Sequence, residues 1–449
     1  MHALSFRSKW RAIRRLTILF TFLFGSTAIA NPQQYRLTNG LRVVLDQDAR
    51  TPLVAVTLCV HVGGVDHPPG KSGIAHLFEH LFEQDSAHIS KKEFDRVVRE
   101  IGASHDASTV SDYTIFYASA PANQLETILW RRSDQLGFLG DDVTPARLAN
   151  EKQVVLNERR VRIDRVPDGR GLTAMAQALY PPSHPMHEGV LGEPADIESI
   201  TLAEMRAYYR DYYQPSNATL VIVGNFDSEK ATGLVNHYFG SLQSTKPGAA
   251  RPKIATVLPP ATQLRLEVAD HVSEPELVVA WVTAPAYSKD EPGLRVLASL
   301  LGDGGRRGLL YKRLVEQRRV AKSVRCNHIP LGTGSLMQCT LSPAEGVQPE
   351  RLNTELADAL KQLVTEGPSE RELAREKARL RLEMIQGVEE PVDRANVIAE
   401  YVHFVDDPDY FSHDLAAVDA VDAAAIRALV SRWLNSERQV SVVVKPERP

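Results

Sequence analysis

Cysteine is scarce, with three in 449 residues. Three thiols cannot build a disulfide framework, nor a structural zinc site made of cysteines alone. The chain also lacks an excess of either charge: 52 Lys+Arg stand against 56 Asp+Glu, a formal net charge of −4. Without a basic surplus, nucleic-acid binding is not expected as the main activity. Long apolar runs are missing too. Only one stretch approaches membrane length and the mean hydropathy is −0.22, which excludes a polytopic membrane protein. What remains is a globular composition, 43 % hydrophobic and 24 % charged, in a chain long enough for two or three domains.

That one apolar stretch lies at the N-terminus. Arg7, Lys9, Arg11, Arg14 and Arg15 precede or open an apolar core from Leu16 to Phe24, and Ala28-Ile29-Ala30 offers small residues before Asn31. This is the pattern of a secretory signal peptide over residues 1–30; the alternative is an uncleaved anchor, for which the run is short. Its removal takes away five Lys/Arg and no acid, leaving 47 against 56 and a net charge of −9. No stable membrane span is then expected, and an acidic secreted chain is a poor partner for DNA or anionic lipid. In a Gram-negative cell the destination is the periplasm. That compartment permits disulfides. Cys326 and Cys339 flank the turn Leu331-Gly332-Thr333-Gly334 and would face each other across a hairpin, so a bridge and a pair of buried thiols both stay open. Cys59, inside LVAVTLCV, reads as core.

The mature chain repeats itself. Residues 200–223 (ITLAEMRAYYRDYYQPSNATLVIV) align without gaps on residues 421–444 (VDAAAIRALVSRWLNSERQVSVVV), an offset of 221. In each copy a capping residue, Thr201 or Asp422, opens an amphipathic helix that leads into an apolar strand; Thr201 and Glu204 also form a capping box. The runs starting at Leu53 and Leu277 lie near the same offset. Between the copies, STKPGAARPKIATVLPPA has the Pro, Gly and basic content of a linker. The expectation is an α+β chain of two homologous domains, residues 31–245 and 262–449, joined by a linker over 246–261. Strands alternate with long helices in each half, which suits a mainly antiparallel sheet covered by helices on one face.

The strongest chemical signal is His76-Leu77-Phe78-Glu79-His80. On a helix, His76 and His80 stand at i and i+4, one turn apart on one face. Two imidazole nitrogens so placed can converge on one zinc ion, and Glu79 can face the same cavity without binding metal, as a general base does. Ile74, Leu77, Phe78, Leu81 and Phe82 make the apolar stripe, so the histidines face water or a cleft. A chance cluster on a solvated face is the competing reading, and the motif needs a third ligand. The segment TPARLANEKQVVLNERRVRID offers one: Thr144 caps a helix, Pro145 fits its first position, and Leu148, Glu151, Val155 and Glu158 share a stripe. Acids among apolar residues are rarely buried unless paired or bound to metal. Surface ion pairs with Arg147, Lys152 or Arg162 would also explain them.

This spacing resembles the pitrilysin/insulinase family of zinc metallopeptidases, the inverzincins, whose signature is H-x-x-E-H. There the third ligand is a Glu nearly eighty residues on, with a second acid seven positions before it. Glu158 lies 78 residues after His80, and Glu151 seven before Glu158. The resemblance implies Zn2+ held by His76, His80 and Glu158, with Glu79 as base and Glu151 supporting catalysis. GASHDASTVSDYTIFY looks like the family's substrate-binding edge strand, with Asp106 and Ala107 where a peptide backbone pairs by strand addition; an ordinary sheet strand is the equal alternative.

One departure stands out. Active family members carry, in the second half, an Arg and seven residues on a Tyr that hold the substrate. Val315 and Lys322 occupy those places, and no Tyr occurs between Tyr311 and Tyr401. Some short members work as heterodimers in which the second chain supplies that pair, and this sequence looks like the zinc-bearing chain. Together with the signal-peptide pattern, the resemblance implies a secreted zinc endopeptidase acting on peptides or unfolded segments inside a chamber, with a homologous partner chain or as a homodimer. The alternative is a weakly active or non-catalytic binding subunit of a peptidase-like complex.

Overall fold

Apolar runs bounded by turn residues become strands and the periodic stretches become helices, in an order that recurs. The computed structural model describes residues 31–139, 143–244, 264–303 and 305–447; the signal-peptide and linker expectations, on 1–30 and 246–261, lie outside the described residues. The first half holds β1 (Gln33–Arg36), β2 (Arg42–Gln47), β3 (Leu53–Val60), α1 (Ile74–Phe82), α2 (Lys91–Ile101), β4 (Ser104–Thr109) and β5 (Thr114–Pro121). It continues with α3 (Leu125–Phe138), α4 (Pro145–Arg159), α5 (Gly169–Leu179), α6 (Pro194–Ser199), α7 (Leu202–Tyr212), β6 (Ala218–Gly224) and α8 (Ser228–Phe239). The second half holds β7 (Leu264–Asp270), β8 (Glu276–Val282), α9 (Glu291–Ala298), β9 (Ala321–Ile329), β10 (Leu336–Pro343) and α10 (Pro349–Glu366). After it come α11 (Glu370–Gln386), α12 (Pro391–Val405), α13 (Phe411–Asp419), α14 (Ala423–Trp433) and β11 (Val440–Pro446).

The strands form two sheets, β1-β2-β6-β3-β5-β4 and β7-β11-β8-β10-β9. Each has one parallel pair, β2 with β6 and β7 with β11, and is otherwise antiparallel. Without β1, the two orders are the same. The repeat reaches the register: the pair Thr57–Val221 across β3 and β6 recurs as Val278–Val442 across β8 and β11, both members displaced by 221 residues. The caps recur as well. Thr201 accepts from the Glu204 N–H in a capping box at the start of α7, and Asp422 accepts from the Ala425 N–H at the start of α14.

The sheets differ from expectation in having both faces covered. A helix-rich core lies on one face of each. On the other, the halves exchange a helix. Ala395, Ile398, Ala399 and Val402 of α12 pack on Val44, Ala55, Cys59 and Val221 of the first sheet. Met175 and Leu179 of α5 pack on Val278, Ala280, Val440 and Val442 of the second. That is why β3 and β6 are apolar almost without alternation. The exchange has polar fasteners: Arg394 reaches the buried Asp46 at 2.6 Å, and Asn396 meets Thr57 at 2.7 Å. Gly171 lets α5 approach β11 closely, since a Cβ there would stand 2.5 Å from Val444 Cγ2.

Cys326 and Cys339 stand opposite each other on β9 and β10, buried, and are joined in a disulfide. Replacing both by Ala is expected to lower stability by about 2–4 kcal/mol, read from urea unfolding in non-reducing buffer. An unchanged transition would mean the two sulfurs are not bonded in the native chain. Among the described residues no helix is long and apolar enough to cross a membrane.

Candidate metal centre

Gly73 turns the chain into α1 with φ +80°, a left-handed conformation that a side chain would strain, and a Cβ there would meet the Leu191 carbonyl at 2.9 Å. From this start the apolar stripe Ile74, Leu77, Phe78, Leu81 and Phe82 is drawn into the first core. His76, Glu79, His80 and Glu83 are thereby turned to the opposite side. The histidines meet α4, while Glu79 and Glu83 meet β4, Glu83 also reaching Arg132 of α3. Thr144 caps α4 through its Oγ1, which accepts the Arg147 N–H, and Pro145 opens the first turn. Leu148 and Val155 are buried on the face that carries Glu151 and Glu158.

Three donor atoms converge. His76 Nε2 and His80 Nε2 are 3.3 Å apart, and Glu158 Oε2 lies 3.6 Å from the first and 3.2 Å from the second. Donors around a tetrahedral ion at about 2.0–2.1 Å sit roughly 3.3–3.4 Å from one another, so the triangle has the size a zinc ion requires. Its chemistry fits as well. Two nitrogens and a carboxylate oxygen are a zinc donor set, one that would leave a bound ion room for a water. Burial, with the charges of His80 and Arg162, pushes the His76 pKa down to about 3, so its imidazole is neutral as a ligand must be. Among the described residues His76, His80 and Glu158 are the group of this kind.

The remaining expected residues surround this triangle. Glu151 is buried and its Oε2 approaches His80 Nδ1, the ring nitrogen turned from the triangle, at 3.7 Å; Asn150 donates to its other oxygen at 3.0 Å. Its carboxylate therefore faces the side of the His80 ring away from the triangle, where an outer carboxylate can orient a metal-binding imidazole. Burial opposes a charge on His80, but the carboxylates of Glu151, Glu79 and Glu158 outweigh it and raise its pKa. Glu79 lies beside the triangle without joining it. Burial raises its pKa, with Glu158 and Glu83 adding to the rise and Thr109 and His80 opposing it. Glu83 is fixed by Arg132 and by His105 at 3.3 Å; against its burial these two partners hold its carboxyl down to about 2.

Asp106 and Ala107 lie on β4, an edge strand of the first sheet that packs against α1. Asp106 is exposed, and its Oδ1 accepts the Ala107 N–H at 2.9 Å. Val315 and Lys322 are not at this site: Val315 packs on the second core, and Lys322 pairs with Glu274 at the surface. Sequence reasoning missed Thr109, at the end of β4. Its Oγ1 donates to Glu79 Oε2 at 2.5 Å, so the edge strand holds the proposed base. A threonine closing a strand carries no mark in one sequence. Thr109→Val is expected to lower peptide turnover by about tenfold while zinc content stays native. Unchanged turnover in a folded variant would remove Thr109 from the site.

Comparison with known proteins adds three findings. Residues 42–166 match the family described as Insulinase (Peptidase family M16), and residues 199–380 match the one described as Peptidase M16 inactive domain. A zinc protease, PqqE, of Helicobacter pylori is 27 % identical over 96 % of this chain and 96 % of its own. Among solved structures, a protease from Helicobacter pylori superimposes with a TM-score of 0.84 at 25 % identity, covering 93 % of this chain and all of that one. The first half of the periplasmic protease PqqL from Escherichia coli gives 0.74 at 15 % identity over 93 % and 92 % of the two chains, a likeness of fold alone.

Proposed function

We propose, for a chain that belongs to the insulinase (M16) peptidase family, that it is a zinc metalloendopeptidase cutting peptides or unfolded segments. The observation that carries this reading is the triangle of His76, His80 and Glu158, with edges of 3.2–3.6 Å, and the non-ligating Glu79 beside it. Zinc, when bound, supplies a Lewis acid for the scissile carbonyl and for water. The chain's own residues do the rest. Glu79 takes a proton from the attacking water and returns it to the leaving amine. Thr109 keeps one Glu79 oxygen occupied, so the other is directed at the water. The free edge of β4 at Asp106 and Ala107 receives the peptide as an added strand, a mode that needs little side-chain identity.

In this reading residues 1–30 direct the chain to the periplasm and are removed. Residues 31–245 form the peptidase domain, 246–261 a linker and 262–449 the homologous second domain. Val315 and Lys322 in place of an Arg and a Tyr support a partner: a homologous chain would supply that pair and close a chamber that limits substrate size. The same departure favours the second reading, a binding subunit with little activity of its own. Purified chain, alone and with a paralogous partner, tests both. Zinc near one ion per chain, with cleavage of unfolded peptides that stops on chelation and returns with zinc, is the expected result. Bound zinc without cleavage in either sample would leave the binding role.

A further inference from the structure

Beyond Arg159, α4 widens into one π-helical turn, Arg160–Asp164, closed by the Arg165 N–H bonding the Arg160 carbonyl at 3.0 Å. Such turns gather at functional sites. This one begins two residues after Glu158 and carries Arg160 and Arg162, followed by Arg165, all three exposed. Arg162 Nε lies 3.0 Å from Glu158 Oε1. That is the oxygen turned away from the imidazoles, since Oε2 faces His76 and His80. The Arg162 side chain is 66 % exposed, and no hydrogen bond joins it to another described residue. An exposed ion pair at i,i+4 adds little to stability. What the position does provide is a planar fork with open Nη donors, the shape that grips a carboxylate by two bonds, at the rim of the metal triangle.

The surroundings give that cation a purpose. Glu79 and Glu151 stand beside the triangle and Glu158 forms one of its corners, in a chain of net negative charge. A peptide carrying acid near its scissile bond would be repelled from such a site unless a local positive group met it. We propose that Arg162 is a specificity-determining residue, whose open Nη donors take a peptide carboxylate held beside the scissile bond. The carboxylate can come from an Asp or Glu side chain or from the peptide's C-terminus. The inference rests on the peptidase reading above and names the substrate class of the same site.

The test uses the full chain loaded with zinc and carrying Glu79→Gln, so that peptide binds without turnover. Its probes are fluorescent Ala/Ser peptides in which a single Glu is moved along the sequence or replaced by Gln, each made with a free and with an amidated C-terminus. At one Glu position, or with the free terminus, binding is expected to tighten about tenfold. Adding Arg162→Gln should shrink that gain to under about twofold with zinc content unchanged, and Arg162→Lys should restore part of it as a point charge. A gain that survives Arg162→Gln, or no gain at any position, overturns the proposal. Cleavage of the same peptides with Glu79 restored separates the two readings. No cleavage by the chain alone or with the paralogous partner, with the carboxylate gain intact, would sink the peptidase reading, and cleavage indifferent to the carboxylate would sink this one.

Discussion

Glu79→Gln is expected to hold zinc as the native chain does while peptide cleavage falls by about 10²–10⁴-fold. The separation of the two readouts follows from the geometry. Glu79 is outside the group whose donor atoms converge, so the triangle survives its loss of charge. Glutamine keeps the shape, and its carbonyl oxygen can still accept from Thr109, which now donates to Glu79 Oε2 at 2.5 Å. What the amide cannot do is accept a proton and give it back. Burial, helped by Glu158 and Glu83, lifts the Glu79 pKa above the ordinary carboxylate value, and a base moved toward the working pH transfers protons in both directions more readily. Metal analysis and peptide turnover on the same preparation check the prediction. Native turnover would reject Glu79 as the base. Loss of zinc together with turnover would place Glu79 among the residues that hold the metal.

The parts of the site legible in the sequence are those fixed by local periodicity. The stripe Ile74, Leu77, Phe78, Leu81 and Phe82 has only one way to be buried, so His76, Glu79 and His80 had to share the other side. Thr144 and Pro145 mark where α4 starts, which sets the phase that brings Glu151 and Glu158 to one face. The offset of 221 foretold a repeated sheet because the same apolar strand and the same capped helix recur. Tertiary choices were not legible. A helix stripe states that a face is apolar, not which sheet will cover it. The exchange of α5 and α12 between the halves, and with it the second covered face of each sheet, therefore left no local trace. Thr109 is close to Glu79 through the pairing of β4 beside α1, a contact spanning thirty residues of chain. Glu151 and Glu158 share one helix stripe, and the structure sets them on opposite sides of the His80 ring, Glu151 toward Nδ1 and Glu158 toward Nε2.

That difference sets the second large effect. Glu158→Gln should weaken zinc binding by more than about 10²-fold, whereas Glu151→Gln should cost about 10–100-fold, the range of a partner that orients a ligand. Glu158 Oε2 supplies the one anionic corner of the triangle, 3.2 Å from His80 Nε2 and 3.6 Å from His76 Nε2. A neutral amide oxygen in its place leaves two imidazoles to hold a divalent ion. Glu151 touches no donor atom of the triangle. Its loss leaves His80 Nδ1 with a weaker acceptor, so the ring turns more freely and its ligating nitrogen becomes less basic, but all three donors survive. Competition with a chelator of known affinity gives the order, and unfolding gives it again by an independent route. A ligand at a hundred times its dissociation constant stabilises the native state by about 2.7 kcal/mol. Added zinc should therefore raise the Tm of the native chain most, that of Glu151→Gln less, and that of Glu158→Gln least. If the two variants exchange places in that series, the third ligand is Glu151, and the pairing of His80 with its two carboxylates runs the other way round.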